Sequence, residues 1–222
     1  MLKIAVFSFN PFGENTYVLM DDTKECIVVD AGNYSAKEDN ALINYIRDNE
    51  LKPVMALNTH GHVDHILGVS FVKQEFNVPF AMHSDDMSIL NSSKEHGAMY
   101  GFDVKQIPSV EIDLKDKTEV SFGETVLKII HTPGHTPGGV CIFVEQQNIL
   151  ITGDTLFKES IGRTDLPGGD YYAIMDSIIN KIIPLGDEVK FYPGHGPASS
   201  LGHETLNNPF VVEVLREEVN YK

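Results

Sequence analysis

The sequence predicts an α/β protein in which two sheets pack face to face and helices cover their outer faces. Three observations point there. Strand-like apolar runs open each half of the chain, a period-2 pattern gives way to period 3.6 and back, and both halves repeat that order. With 222 residues, 42% of them hydrophobic, the chain is long enough to bury a substantial core, and one domain over residues 1–222 is expected.

The first runs, Ile4 to Phe9, Asn15 to Met20 and Cys26 to Asp30, are separated by turn formers at Asn10-Pro11-Phe12-Gly13 and Asp21-Asp22-Thr23-Lys24. They read as antiparallel neighbours in one sheet. Ser35-Ala36-Lys37-Glu38 is a capping box, and Ala41, Leu42, Tyr45 and Ile46 follow at helical spacing, so a helix should lay one stripe on that sheet. Pro53 leads into a strand over Val54 to Asn58. His65 to Phe76 then carries a helical stripe and Val78 to Met82 a short strand, which is the βαβ alternation. Ser84 to Tyr100 reads as a polar helix and loop without a chemical signal.

The second half begins near Ile107. Thr118 to Gly123 and Thr125 to His131 form a hairpin-like pair, followed by strands over Gly139 to Val144 and Asn148 to Thr152. Tyr171 to Ile183 is an amphipathic helix, Glu188 to Tyr192 the last strand, and Phe210 to Tyr221 a closing helix.

Composition excludes several function classes. The formal charge of −15 repels polyanions, and no cluster of Lys and Arg is present, so nucleic acid is not an expected partner. The apolar start Met1 to Phe9 is short and broken by Lys3, and no apolar stretch of 18 residues follows, so neither export nor a membrane is expected and the location should be cytoplasmic. Cys26 and Cys141 sit in apolar strands and read as buried thiols. A monomer or small homo-oligomer is expected.

The chemistry gathers at strand ends. Thr59-His60-Gly61-His62-Val63-Asp64-His65 places three imidazoles and a carboxylate within six positions directly after an apolar strand, a donor set suited to a borderline metal. On a continuous strand His60, His62 and Asp64 would share a face while His65 pointed away; a turn into a helix at Asp64-His65 would let the four divide between two ions. His135 lies in the proline-stiffened turn Thr132-Pro133-Gly134-His135-Thr136-Pro137-Gly138, whereas His131 at the strand end reads as structural. Asp154 follows the apolar run Ile149-Leu150-Ile151, and a half-buried acid there needs a cationic partner. His195 follows the last strand in Tyr192-Pro193-Gly194-His195-Gly196-Pro197, while His83, His96 and His203 read as surface or supporting groups. Seven such side chains exceed one tetrahedral site but fill two if an aspartate is shared.

These motifs, with Gly153-Asp154-Thr155-Leu156-Phe157 and Gly162-Arg163-Thr164-Asp165, stand in an order that resembles the metallo-β-lactamase superfamily, and within it the short glyoxalase II-like, hydroxyacylglutathione hydrolase-like branch. The resemblance implies a four-layer αββα sandwich and two divalent metal ions per chain, zinc first, with iron or manganese as alternatives. It would put His60, His62 and His135 on one metal, Asp64, His65 and His195 on the other, and Asp154 on both. A hydroxide bridging the metals would then open a small-molecule thioester such as an S-2-hydroxyacylglutathione, Asp64 helping to orient it.

The same resemblance offers a persulfide dioxygenase with one iron on His60, His135 and Asp154, or a lactone or other ester hydrolase. The best-known class of true β-lactamases has cysteine where Asp154 stands, so antibiotic hydrolysis is not expected. Larger glyoxalase II proteins add a helical domain with basic residues for glutathione, whereas Arg216 and Lys222 are the basic groups near this C-terminus. Arg163 is expected either to touch substrate or to order its loop by pairing with Asp165 or Asp170. A non-enzymatic protein with a structural metal is the rival class; structural sites favour four closed ligands.

Overall fold

Alternating apolar runs in the N-terminal half fold into a six-stranded sheet, ordered as in the chain: β1 (Lys3–Phe9), β2 (Glu14–Met20), β3 (Glu25–Val29), β4 (Lys52–Leu57), β5 (Phe80–Met82) and β6 (Ile112–Asp113). The structure is a computed structural model that describes residues 1–115 and 118–220, the side chains of 217–220 excepted. β1, β2 and β3 are antiparallel neighbours, as their hairpin-length turns require, and β3 to β6 run parallel. The parallel steps are crossed by α1 (Ala36–Asp48), then by α2 (Val63–Ile66) and α3 (Val69–Phe76), then by α4 (Met87–Asn91) and α5 (Ser93–Met99).

α1 starts at the expected capping box, with Ser35 Oγ accepting from the Glu38 N–H and Glu38 accepting from the Ser35 N–H. The single helix expected over His65 to Phe76 is instead two. The chain breaks at Leu67-Gly68 because Gly68 donates its N–H to the Ala31 carbonyl at 2.7 Å and presses on the Asn33 side chain, leaving no room for a Cβ. The stretch expected to hold one polar helix, Ser84 to Tyr100, also carries two.

The C-terminal half builds the second six-stranded sheet from β7 (Glu119–Phe122), β8 (Thr125–His131), β9 (Val140–Val144), β10 (Ile149–Gly153), and, after the small hairpin β11 (Leu156–Phe157) and β12 (Ser160–Ile161), from β13 (Lys190–Pro193) and β14 (Ser199–Ser200). Its order is β14-β13-β10-β9-β8-β7, and β10 and β13 are parallel. α6 (Tyr171–Ser177), α7 (Leu201–Asn207) and α8 (Pro209–Asn220) complete this half. α6 continues into a π-helical turn, Ile178–Ile182, that keeps the expected Ile stripe buried. β14 and α7 carry no period strong enough to read, and both were missed; Tyr221 and Lys222 lie outside the described residues.

Alternation makes the layers. Tyr17, Leu19, Ile27, Val29 and Leu57 from the first sheet meet Leu127, Val140, Ile142 and Ile151 from the second in a shared core. Opposite faces of the same strands, Val18 and Val28 in one sheet and Cys141, Phe143 and Leu150 in the other, bury α1 and α3 or α6 and its extension. The result is the αββα sandwich. Both cysteines are free and buried, as expected. No helix among the described residues is long and apolar enough to cross a membrane.

Candidate metal centre

The candidate ligands leave the carboxyl ends of β4, β8, β10 and β13, which the two packed sheets bring to one edge. His60 and His62 lie on the loop after β4, and His62 immediately precedes α2, whose first turn carries Asp64 and His65. That turn gives Asp64 and His65 the change of direction a continuous strand would deny. His135 stands in the loop after β8, Asp154 directly after β10 and His195 after β13.

Two groups of three result. His60, His62 and His135 converge in one, Asp64, His65 and His195 in the other. Asp154 lies between them: its Oδ1 is 3.5 Å from His65 Nε2, and its Oδ2 is 3.6 Å from His135 Nε2 and 3.7 Å from His195 Nε2. In the first group His62 Nδ1 and His135 Nε2 are 2.9 Å apart, and in the second His195 Nε2 is 3.1 Å from Asp64 Oδ2. All seven side chains singled out from the sequence therefore meet at one place.

Their surroundings fix which atoms face inward. His135 Nδ1 donates to the Arg163 carbonyl at 2.8 Å, leaving Nε2 as the lone pair toward Asp154. His65 turns Nδ1 toward Asp30 Oδ2 at 3.1 Å and Nε2 toward the two aspartates. Asp30 also accepts from the Thr59 N–H and hydroxyl, both at 2.7 Å, and Thr59 Oγ1 lies 3.1 Å from His60 Nδ1. Asp30, His60 and His65 could form a third ligand group, but Asp30 faces the outer nitrogen of His65 and is better placed to orient it. Gly194 must be glycine here, since a Cβ would collide with Asp154 Oδ1 and come within 2.8 Å of His65.

Asp86 ties two ligand loops together. Its carboxylate accepts from Gly61 N–H at 2.9 Å, from Gly138 N–H at 2.6 Å and from the Thr136 hydroxyl at 2.8 Å. Neither Asp30 nor Asp86 was singled out from the sequence. Asp30 could have been, because it ends an apolar run as Asp154 does; Asp86 opens a polar stretch and carries no such mark.

Several buried polar atoms of this cluster, His60 Nε2, His65 Nε2 and Asp154 Oδ1, have no hydrogen-bond partner. Stranding three such atoms together is costly, and a cation among them removes the cost. Burial pushes His60 well below the usual histidine range and His62 down to about 3, so both present neutral imidazoles. For Asp154 burial acts upward, but the positively charged His65 ring beside it prevails and holds the carboxyl well below its usual range. For His65 and His195 burial acts downward, but the Asp64 and Asp154 carboxylates prevail and raise both toward the protonated form. A metal would take the place of those protons, and with the neutral His60 and His62 and the ionised carboxylates the residues fit two divalent transition-metal ions.

Other expectations resolve differently. Arg163 pairs with Asp165 through Nε at 2.7 Å and Nη2 at 2.8 Å, while Asp170 caps α6. His131 donates Nε2–H to the Pro137 carbonyl at 2.8 Å, stacks on His83, and with His83 and Asp85 makes a separate group of three that could hold a metal ion. His83 is buried in that stack, His96 lines the cleft, and His203 pairs with Glu159. A cleft of about 660 Å³ opens over the cluster, reaching His62, Asp64, His135, Asp154 and His195.

Comparison with known proteins agrees with this geometry. The model of the metallo-beta-lactamase superfamily matches residues 10–195. The chain is 32% identical over 217 residues to the hydroxyacylglutathione hydrolase GloC of Haemophilus influenzae, covering 95% of this chain and 98% of that one. Among solved structures, the BLEG-1 B3 metallo-beta-lactamase superposes with a TM-score of 0.85 at 33% identity, covering 94% of this chain and 99% of that one. TTHA1623 in a di-iron-bound form superposes with a TM-score of 0.83 at 28% identity, covering 93% and 99%.

Proposed function

Since this chain belongs to the metallo-beta-lactamase superfamily, we propose that it is a two-metal hydrolase that opens an acyl thioester. The observation that carries the reading is the meeting of two three-residue clusters across one aspartate at the floor of an open cleft. His60, His62 and His135 would hold one ion, Asp64, His65 and His195 the other, and Asp154 would reach both. Such ions, when bound, bring the pKa of a coordinated water toward neutrality and polarise a carbonyl.

The protein's own groups do the rest. Asp64 is 8% exposed at the cleft floor, placed to accept a hydrogen bond from the attacking water and hold its lone pair toward the acyl carbon. The Arg163 carbonyl keeps His135 from rotating, and Asp30 Oδ2 stands 3.1 Å from the outer nitrogen of His65. A thiolate leaves without an added proton near neutral pH, because thiols ionise at about 8.5, so the leaving sulfur needs no general acid beside it. Likeness to a hydroxyacylglutathione hydrolase supports the thioester class, and likeness to a di-iron protein supports a pair of metals.

The test is metal analysis of protein purified without added metal, paired with assays on S-lactoylglutathione, an uncharged acyl thioester, a lactone, a β-lactam and a glutathione persulfide with oxygen. Two metals per chain and thioester turnover abolished by chelation are expected. Metal-loaded protein that hydrolyses no thioester ends the reading. The β-lactam belongs in the panel because a relative at 33% identity is described as a B3 metallo-beta-lactamase, contrary to the expectation drawn from Asp154. One iron per chain with oxygen uptake would replace hydrolysis by the persulfide dioxygenase, whose three implied ligands, His60, His135 and Asp154, also meet here.

A further inference from the structure

The cleft above the cluster has walls unlike its floor. Phe12 from the β1–β2 turn, Met99 and Tyr100 from the end of α5, Phe157 and Ile161 from the β11–β12 hairpin, and Leu166 surround the approach to the candidate ligands. Phe12 is 43% exposed, Tyr100 53% and Met99 78%. An apolar rim beside polar groups is the arrangement that marks a ligand site. This rim is also built in advance: the Phe12 ring stands edge-on to Tyr100 at 5.4 Å and to Phe102 at 5.1 Å, and Phe102 stands edge-on to Tyr34 at 5.2 Å.

Charge points the same way. Arg163 is the only Lys or Arg among the described lining residues, and its guanidinium is held at two points by Asp165. A thiol carrying two carboxylates would enter the cleft of a chain whose formal charge of −15 two divalent ions would cancel only in part, and would meet a cation already paired. An uncharged apolar group would instead cover Phe12, Met99 and Tyr100 and gain about 25 cal/mol for each Å² removed from water.

We propose that this cleft selects its substrate by an uncharged, apolar body, so that the thioester opened here is an apolar acyl or thiol ester and not a dicarboxylate glutathione conjugate. The inference rests on the thioester reading for the reacting bond, and on the cleft walls alone for the selectivity. Asp165 occupies Nε and Nη2 of the Arg163 guanidinium, so a substrate carboxylate has to compete with it for the same donors.

Binding separates this proposal from the reaction itself. Calorimetry on the metal-loaded protein compares two non-hydrolysable thioethers with the same benzyl group, uncharged S-benzyl-N-acetylcysteamine and S-benzylglutathione, whose two carboxylates and one ammonium leave a net negative charge. The neutral ligand is expected to bind about tenfold more tightly, a difference on the order of one decade in Kd. Phe12→Ser and Met99→Gln, both at exposed positions and checked for an unchanged melting curve, should each weaken it about fivefold. Asp165→Asn, which frees Arg163, should tighten S-benzylglutathione and leave the neutral ligand unchanged.

Tighter binding of S-benzylglutathione to the unaltered protein, or no binding of the neutral thioether at millimolar concentration, overturns the proposal while leaving thioester hydrolysis standing. Preferential binding of the neutral thioether by a protein that turns over no thioester upholds the selectivity and overturns the reaction.

Discussion

At the scale of single residues, Asp154 and Asp86 make opposite kinds of contribution. Asp154 is the carboxylate within 4 Å of three imidazoles from both groups, so Asp154→Ala should lower bound metal below two per chain and reduce turnover by at least about a hundredfold, read by elemental analysis and rate together. Asp86 touches none of the seven candidate ligands. Its removal strands the Gly61 and Gly138 N–H groups and the Thr136 hydroxyl, which costs about 1–3 kcal/mol for each buried group left unpaired. Asp86→Ala should therefore lower denaturant stability of the metal-free protein by about 3 kcal/mol and weaken metal binding about tenfold or more, as the two ligand loops lose register. Unchanged metal affinity in that variant would show that the loops hold themselves.

At the scale of elements, the turn into α2 aims Asp64 and His65 into the cluster, and a break then separates α2 from α3. That break depends on close contact between Gly68 and Asn33. Gly68→Ala should destabilise the fold by about 1–3 kcal/mol through overpacking, measurable by urea unfolding, with a loss of metal if α2 moves. A second clasp joins α3 to the segment before β6, where Lys73 Nζ lies 2.7 Å from Glu111. Burial acts upward on Glu111, but the Lys73 ammonium, the Ser109 hydroxyl and the Phe80 N–H outweigh it and bring the carboxyl from 4.5 down to about 2. A carboxyl lowered by folding stabilises the folded state above its unfolded value and loses that contribution as pH falls. Melting temperature should thus fall between about pH 4.5 and pH 2 by more in the wild type than in Glu111→Gln, by a modest margin because the pair is part-exposed.

At the scale of the whole molecule, seven ligand-type groups from four strand ends meet at one edge of the sandwich, where they strand buried polar atoms. Binding metal to the folded form alone stabilises it by mass action, about 4 kcal/mol at a thousandfold excess over Kd. Chelator-stripped protein should therefore melt several degrees lower than protein with two equivalents of zinc, and scanning calorimetry decides it. Equal melting temperatures would mean that the cluster tolerates its empty centre and that the metals contribute little to folding.

Much of this was legible in the chain because it is short-range. The apolar runs and turn formers of β1 to β3, the Ser35 capping box and the Ile stripe of α6 each depend on neighbours within one or two turns, and the ligand-type residues announce themselves by spacing after apolar runs. The break at Gly68 was not legible, since the periodicity of the stripe runs on across it and only the distant Asn33 side chain forces it. Sequence by itself determined the αββα layering and which side chains could serve as donors. Tertiary structure alone decided which nitrogens of His65 and His135 face inward, that Asp86 ties the Gly61 loop to the Gly138 loop, and that Phe12, Met99 and Phe157 form one apolar rim. Those depend on contacts between segments far apart in the chain, which packing creates and local pattern does not encode.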